Sequence, residues 1–351
     1  IISSTRTLTD LPSVEERMPE IRASAFLRGR RSYVSTTVPL LASMGCPYTC
    51  NFCTDWNNPY MPLPLDRLEA DLRYLSQHLP KVRIAFHDPN FAVKFDQTLG
   101  VLEKLPPRAR NPYVMESSLA FLWGSRLQRL HDTRCIYVAL GIESWSHYSN
   151  KTGVGGKTGS DKVRLLLERL EALHEHVPGI QANFIFGLDT DDGDEPVELT
   201  KEFMSRTPYA WPVVNIPVPF GGTPFYDQYL RNGRILTSMP FAFYYSPYLV
   251  TTLKNYDPVA YYQKLTDISI HYSSRTMLWR RLLTTRTWSL RLLHAVRTAG
   301  MSNRTREFKE ILSLMTTDPR FRAFHEGKTP VLPEFYHKQY ERMLGPYAPL
   351  L

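Results

Sequence analysis

The segment VPLLASMGCPYTCNFC, residues 38–53, joins a short apolar run to three closely spaced cysteines. Its apolar part, 38–44, has the length of a β-strand rather than of a helix. Five more such runs follow, and segments with helical spacing of their apolar residues lie between them. These runs are 82–87, 112–117, 135–142, 179–187 and 212–219. The repeated alternation of strand and helix predicts parallel strands joined by right-handed crossovers.

Six strand–helix units predict an α/β fold, a partial (β/α)6 open barrel related to the eight-unit TIM barrel. We place this barrel at residues 37–235. Residues 1–36 are polar and basic and contain prolines, and we expect them to form a linker or amino-terminal arm. Residues 236–351 begin with aromatic-rich stretches and continue with long basic segments, which predict a mostly helical carboxy-terminal region.

The composition excludes several classes of protein. No apolar run reaches the roughly 18 residues of a membrane-spanning helix, and the first residues lack the charged-then-apolar order of a signal peptide. Four cysteines in 351 residues are too few for a secreted disulfide scaffold. We therefore expect a cytoplasmic protein. Because the chain starts at Ile1 rather than at methionine, we also expect a longer gene product.

Cys46, Cys50 and Cys53 follow the first predicted strand, which places them at the carboxy-terminal rim of a barrel, where active sites lie. Thiolates suit iron–sulfur clusters, and three of them can hold three irons of a [4Fe-4S] cubane. The fourth iron then stays open for a substrate. A structural zinc site would need a fourth ligand, and the remaining cysteine, Cys135, lies in a predicted buried strand.

The C-x3-C-x2-C spacing, with Phe52 directly before the third cysteine, resembles the signature of the radical S-adenosylmethionine (SAM) superfamily. The resemblance implies that the amine and carboxylate of SAM bind the open iron and that an electron from the cluster splits the sulfonium. The product is a 5′-deoxyadenosyl radical, which abstracts hydrogen from an unactivated C–H bond. We also expect an external electron donor of the flavodoxin or ferredoxin type.

Polar residues near the ends of the strands are the expected SAM contacts. Gly141-Ile142-Glu143-Ser144 resembles the fourth-strand G-x-E-S segment of the superfamily, and a loop cap is the alternative role of Glu143. The segment 87–91 resembles the aspartate-rich second-strand variant of the cobalamin-associated branch, with an Asx turn as the structural role. Gly187 would let adenine approach the backbone closely. The full expected set is Phe52, His87, Asp88, Glu116, Ser117, Glu143, Ser144, Asn183, Gly187 and Val218.

The family resemblance and the number of cysteines limit which type of radical SAM reaction we expect. Residues 8–19 resemble the linker that joins a cobalamin-binding domain to the barrel, but the D-x-H-x-x-G loop of that domain does not occur in this sequence, so cobalamin is a hypothesis. Cys135 alone cannot build a second cluster. The reactions that remain are methyl transfer, cyclisation or rearrangement of a small or lipid-like metabolite. The sequence assigns no catalytic residue. The alternative is a non-catalytic iron–sulfur electron-transfer or scaffold protein.

The net charge of +8 comes from one window, because residues 275–306 hold eight arginines and no acidic residue while the rest carries 34 basic and 34 acidic residues. Apolar residues interleave with these arginines, as in a helix that rests on an anionic membrane surface. The alternatives are arginines that face an anionic substrate or nucleic acid, and a helix packed on the barrel with a solvated basic face. We expect no nucleic-acid partner.

Two further segments have a structural interpretation. The tyrosines at positions 244, 245 and 248 are placed to line a substrate cavity, although core packing is the more frequent role of such aromatics. The acidic stretch 189–195 lacks the spacing of a calcium loop. It predicts a solvated loop that caps the next helix.

Overall fold

The computed structural model describes residues 11–24, 27–28, 31–32, 37–80, 82–148 and 151–350. The first part of the expected arm, including the start of the predicted linker at 8–19, lies outside these ranges. The described strands are β1 (Leu27–Arg28), β2 (Arg31–Ser32), β3 (Thr37–Leu40), β4 (Ser43–Met44), β5 (Met61–Pro62), β6 (Arg83–Phe86), β7 (Tyr113–Ser117), β8 (Cys135–Glu143), β9 (Gly179–Ile185) and β10 (Ala210–Asn215).

The described helices alternate with the later strands and then dominate the carboxy-terminal part of the chain. They are α1 (Met18–Ser24), α2 (Leu65–His78), α3 (Phe95–Lys104), α4 (Ser125–Asp132), α5 (Gly159–His176), α6 (Glu195–Arg206), α7 (Pro224–Arg231), α8 (Pro258–Ser273), α9 (Arg275–Thr284), α10 (Trp288–Thr317), α11 (Pro319–His325) and α12 (Glu334–Leu344).

One parallel sheet organises the fold. Its six strands stand in the order β10-β9-β8-β7-β6-β3, and every neighbouring pair is parallel. The sequence order is kept across the sheet, and α2 to α6 supply the crossovers between its strands. The sheet has two edges, β3 and β10, so it is an open arrangement of six units. This confirms the predicted α/β class and partial barrel with a mostly helical carboxy-terminal region.

The helices form where apolar spacing and end signals agree. In α2, Leu68, Leu72 and Leu75 recur at helical spacing and are buried, which fixes the face that packs on the sheet. Asp257 caps α8, since its carboxylate accepts from the backbone N–H groups of Val259 and Ala260. Pro258 then occupies the first turn, where its missing N–H has no partner to lose.

Two large buried apolar clusters and a smaller third one, around Phe225 and Tyr229, hold the described chain together. The first lies between the sheet and its crossover helices, and the second lies under the carboxy-terminal helices. Val214 on β10 packs against both clusters, and α8 packs on α6 and α10. The helical region therefore rests against the last strands of the sheet. Among the described helices, none combines the length and apolar character needed to cross a bilayer.

Candidate active site

The three cysteines lie on the loop between β4 and β5, directly beyond the carboxyl end of β3. Gly45 begins this loop with φ +68°, and a Cβ there would lie 2.1 Å from the carbonyl oxygen of Pro59. The returning chain also accepts the backbone N–H of Cys46 at Asn58 O, 3.3 Å away. Only glycine fits this close approach in the left-handed region, so Gly45 sets where the cysteine loop starts.

Asp88 ties the base of the cysteine loop to β6. Its carboxylate accepts from the backbone N–H of Ala42 at 3.0 Å and from the hydroxyl of Ser43 at 2.6 Å. The side chain is buried, and this burial raises the pKa of Asp88 to about 6. Both oxygens of Asp88 are engaged within the protein, so its geometry fits a structural role at the site.

Asn90 connects the second and third strand ends to the cysteines and was not among the expected contacts. Its amide nitrogen donates to the Ser118 hydroxyl at 2.9 Å and lies 3.9 Å from the Cys46 sulfur. Its amide oxygen accepts from the Ser117 hydroxyl at 3.3 Å. Ser117 therefore acts on the site through Asn90. The available sequence signal was a polar residue shortly after the end of a predicted strand.

Glu143 and Lys151 form a largely buried ion pair beside the cysteine loop. Glu143 ends β8 with φ +68°, and its Oε1 lies 3.4 Å from the Lys151 ammonium. Burial raises the pKa of Glu143, and Lys151 acts against that rise. Burial also acts to lower the pKa of Lys151, but Glu143 and the three thiols outweigh it and raise this pKa. The loop residue Lys151 carries no motif, so sequence analysis missed it.

Lys162 on α5 fixes the backbone beyond β8. Its buried ammonium donates to the carbonyl oxygens of Ser144 at 2.5 Å and Ser146 at 3.0 Å. Burial lowers the pKa of Lys162 to about 8. The Ser144 hydroxyl donates to Asp191 Oδ1 at 3.2 Å. Ser144 is thus held by two buried groups that lie far from it in sequence.

Asp191 belongs to the acidic stretch but is not solvated. Its Oδ2 accepts from the backbone N–H groups of Gly187 at 2.8 Å and Leu188 at 3.1 Å. Burial raises the pKa of Asp191 to about 6. In the loop expected to be solvated at 189–195, residues 192–195 are exposed, but Asp191 is buried because its carboxylate organises the turn after β9. The expected cap of the next helix is not formed by a side chain, since the N-cap residue Asp194 makes no side-chain cap hydrogen bond.

Gly187 has φ +102°, and a Cβ there would lie 2.6 Å from the ring of Tyr261. This close approach gives the glycine a packing reason, and an adenine contact at Gly187 stays a prediction. Asn183 on β9 accepts from the amide of Gln181 at 2.8 Å. Glu116 on β7 is exposed.

One cavity of about 350 Å³ brings three expected SAM contacts together, namely Phe52, Glu143 and Val218. Aromatic side chains complete much of its wall, and they are Phe220, Phe225, Tyr244 and Tyr245. The Phe52 ring stacks on Tyr148 at 5.6 Å, with the Lys151 ammonium 5.6 Å from the ring centre. His87 instead lines a second cavity of about 360 Å³ beside Arg17 and Arg67.

The donor set fits an iron–sulfur cluster better than a single metal ion. Across the described ranges, no three His, Cys, Asp or Glu side chains converge to hold one ion. A cubane binds each cysteine through a different iron, so its ligands need not converge on one point. Cys46, Cys50 and Cys53 are partly exposed on one loop, whereas Cys135 is buried at the start of β8. Burial raises the pKa of the Cys135 thiol to about 12, as expected for an inert residue.

Two curated proteins of Chlorobaculum tepidum are similar in sequence. Bacteriochlorophyllide d C-12(1)-methyltransferase is 29% identical over 205 residues, which cover 55% of this chain and 43% of the relative. Bacteriochlorophyllide d C-8(2)-methyltransferase is 24% identical over 291 residues, which cover 78% of this chain and 62% of the relative. The chain thus spans less than two thirds of either relative. No protein-family profile matches it.

Solved radical SAM proteins resemble the chain at lower identity. The radical SAM methyltransferase TsrM from Kitasatospora setae, solved with cobalamin and a [4Fe-4S] cluster, has a TM-score of 0.46 at 14% identity, covering 56% of this chain and 40% of its own. The protein anSMEcpe, solved with AdoMet and a peptide, has a TM-score of 0.44 at 12% identity. The match covers 70% of this chain and 62% of anSMEcpe. The chain thus resembles radical SAM proteins in its three-cysteine loop and two bacteriochlorophyllide methyltransferases in its sequence.

Proposed function

We propose that this chain is a radical SAM enzyme that methylates an unactivated carbon of a tetrapyrrole-like substrate. The observation that carries the proposal is the position of Phe52, which lies between Cys50 and Cys53 and lines one cavity with Glu143 and Val218. The cysteine loop and two expected SAM contacts therefore meet at one opening. The two methyltransferase relatives support methyl transfer over cyclisation and rearrangement.

A [4Fe-4S] cluster on Cys46, Cys50 and Cys53 would supply the electron that splits SAM into methionine and a 5′-deoxyadenosyl radical, which takes a hydrogen atom from the substrate. The residues around the loop would prepare this site. Lys151 places a positive charge near the thiols, and Asn90 orients Cys46. Glu143 offers a carboxylate that can accept hydrogen bonds from the ammonium group of SAM.

The exposed aromatic residues at the edge of the cavity support a large, flat and mostly apolar substrate. Phe225 and Tyr244 are buried in its wall, while Phe220 and Tyr245 are 42% and 43% exposed. Aromatic faces at the edge of an opening can stack on a conjugated ring that enters only in part. Bacteriochlorophyllide, named for both relatives, is a substrate of that kind.

The proposed reaction consumes two molecules of SAM. In balance, the substrate R–H, two SAM and two electrons give R–CH3, methionine, 5′-deoxyadenosine and S-adenosylhomocysteine. An external donor of the flavodoxin or ferredoxin type would supply the electrons. Cobalamin is the proposed carrier of the methyl group. Ultraviolet–visible spectra of the longest native gene product after reconstitution with hydroxocobalamin test this carrier, and a protein that retains no corrinoid would contradict it.

The central test is anaerobic incubation of the reconstituted protein with dithionite and SAM. We expect 5′-deoxyadenosine. With cobalamin and a bacteriochlorophyllide added, we expect a product heavier by one CH2 unit, because a methyl group replaces a hydrogen atom. Cys50→Ala should abolish the cluster and the cleavage, whereas Cys135→Ala, which removes a buried strand cysteine, should keep both. A protein that holds its cluster but never forms 5′-deoxyadenosine would instead support a non-catalytic iron–sulfur protein.

A further inference from the structure

An apolar stripe runs along the solvent side of α9 and the first turns of α10. Its five residues are spaced four apart within each helix, so each set lies on one helical face. They are Trp279 and Leu283, then Trp288, Leu292 and Val296. Their exposures are 65%, 76%, 77%, 52% and 61%. Large apolar side chains this exposed on two neighbouring helices indicate a surface that has a partner.

Within residues 275–306, the charges beside this stripe are all positive. Arg275 and Arg280 are exposed on α9, and Arg286 is exposed in the connection to α10. No acidic residue occurs from 275 to 306. The stripe together with Arg275, Arg280 and Arg286 is called the α9–α10 face below.

Not every arginine of this window is available to a partner. Arg281 is fully buried, where it donates to the Tyr272 carbonyl at 2.6 Å and lies 5.0 Å from the Trp211 ring. Arg297 donates to the Tyr137 hydroxyl and also lies against Trp211. The window is thus divided between arginines that attach the helices to the barrel and arginines that stay at the surface.

These contacts place the α9–α10 face at the end of the barrel opposite the cysteines. Tyr137 and Trp211 lie near the amino ends of β8 and β10. Arg286 also donates to the Glu175 carbonyl at 2.9 Å, and Glu175 lies in the last turn of α5. The cysteine loop, in contrast, follows the carboxyl end of β3. A partner on this face would leave the catalytic opening free.

We propose that the α9–α10 face docks the protein on the surface of a bilayer that contains anionic lipids. Two exposed tryptophans, two leucines and several arginines, in a window that holds no acidic residue, match the chemistry of a helix that lies at a lipid interface. The tryptophan rings suit the headgroup region, and the arginines suit lipid phosphates and carboxylates. A second copy of the chain is disfavoured, because residues 275–306 of each copy would present arginines and no acidic residue to the other.

The test is co-sedimentation of the full chain with vesicles of phosphatidylcholine alone and with added phosphatidylserine. We expect binding that requires the anionic lipid and weakens as salt rises. Replacing both stripe tryptophans, as Trp279→Ser and Trp288→Ser, should weaken the partition coefficient about tenfold or more. Replacing Arg275 and Arg280 by Gln should weaken it by about fivefold for each charge on anionic vesicles only.

Trp123→Ser is the matched control, since Trp123 is also exposed, at 60%, but lies outside the stripe. It should bind vesicles as the unchanged chain does. All variants should keep their thermal midpoint and their SAM cleavage in solution, which separates lost docking from lost folding. Equal binding by the double tryptophan variant, or none by any variant, would overturn the proposal. A dimer in sedimentation velocity that this variant dissolves would overturn it too, by assigning the face to a second copy.

Discussion

Lys151 Nζ lies 3.4 Å from Oε1 of Glu143, and both side chains are largely buried beside the cysteine loop. Two buried charges of opposite sign tolerate each other only as a pair, because either one alone has lost its hydration. The pair therefore holds the loop after β8 in place even before any ligand binds. The carboxylate that we propose as a SAM contact is thereby fixed in position.

Lys151→Met should lower the free energy of unfolding by about 3 kcal/mol, because Glu143 is left as an unpaired buried carboxylate. Urea unfolding of the reconstituted protein under anaerobic conditions measures this. Lys151→Arg keeps the positive charge and should lose less free energy of unfolding than Lys151→Met does.

The double variant Glu143→Gln with Lys151→Met provides the internal check. If the unpaired carboxylate is the cause, this variant should recover part of the lost stability, and the cycle should show coupling between the two positions. If the stability losses of Glu143→Gln alone and Lys151→Met alone simply add up in the double variant, the ion pair is not the origin of the lost stability. SAM cleavage should stay low in Lys151→Met and in the double variant, since each of them lacks a residue of the candidate site.

Gly45→Ala should prevent the cysteine loop from closing. The added Cβ would lie 2.1 Å from Pro59 O and 2.7 Å from Asn58 O, and both are backbone atoms that cannot rotate away. We expect a loss of about 3 kcal/mol in stability and a reconstituted iron content that is a small fraction of normal. Iron analysis and the visible absorbance of the cluster give the readout.

Gly155→Ala is the matched control for Gly45. Gly155 also has a positive φ, +65°, but a Cβ there meets nothing within 4 Å. The Gly155→Ala variant should therefore lose only about 1 kcal/mol of stability, from the strain of a left-handed alanine, and its iron content should not change. Equal iron loss in both variants would show that the close approach at Pro59 is not what positions the cysteines.

The six strands could be predicted because short apolar runs are a local property of sequence. The run at 135–142 corresponds to β8, and α2 lies between the runs at 38–44 and 82–87, where a helical segment was expected. Where tertiary contacts decide, prediction was poorer. The run at 212–219 was shifted, since β10 begins at Ala210 and ends at Asn215, where pairing with β9 stops. The boundaries at 37–235 and 236–351 stay predictions.

The candidate site was predicted in part for the same reason. The cysteines and Glu143 carry a recognisable spacing, whereas Lys151 becomes a site residue only because its loop folds back over β8. Asp191 looked solvated because its neighbours are acidic, but two backbone N–H groups and Ser144 need its carboxylate. Arg281 looked like surface charge until Trp211, distant in sequence, covered it. Such pairings leave no periodic signal.

The buried His325 of α11 makes stability depend on pH. Its Nε2 lies 2.9 Å from the Tyr336 hydroxyl, and burial lowers the pKa of His325 to about 3. In the unfolded chain the pKa is about 6.5, so between these values the unfolded state binds a proton that the folded state does not. Stability from this residue is therefore lost as pH falls, at about 1.4 kcal/mol per pH unit.

His325→Gln should remove this dependence while keeping a polar partner for Tyr336. Relative to this variant, the unchanged protein should lose about 2 kcal/mol of stability between pH 6.5 and pH 5. Asp88 and Asp191, whose pKa values are raised to about 6, oppose the slope in both proteins. The difference between the two urea curves therefore isolates His325. His337→Gln, at an exposed position of α12, is the matched control. Parallel pH profiles of the unchanged protein and His325→Gln would mean that folding does not lower the pKa of His325.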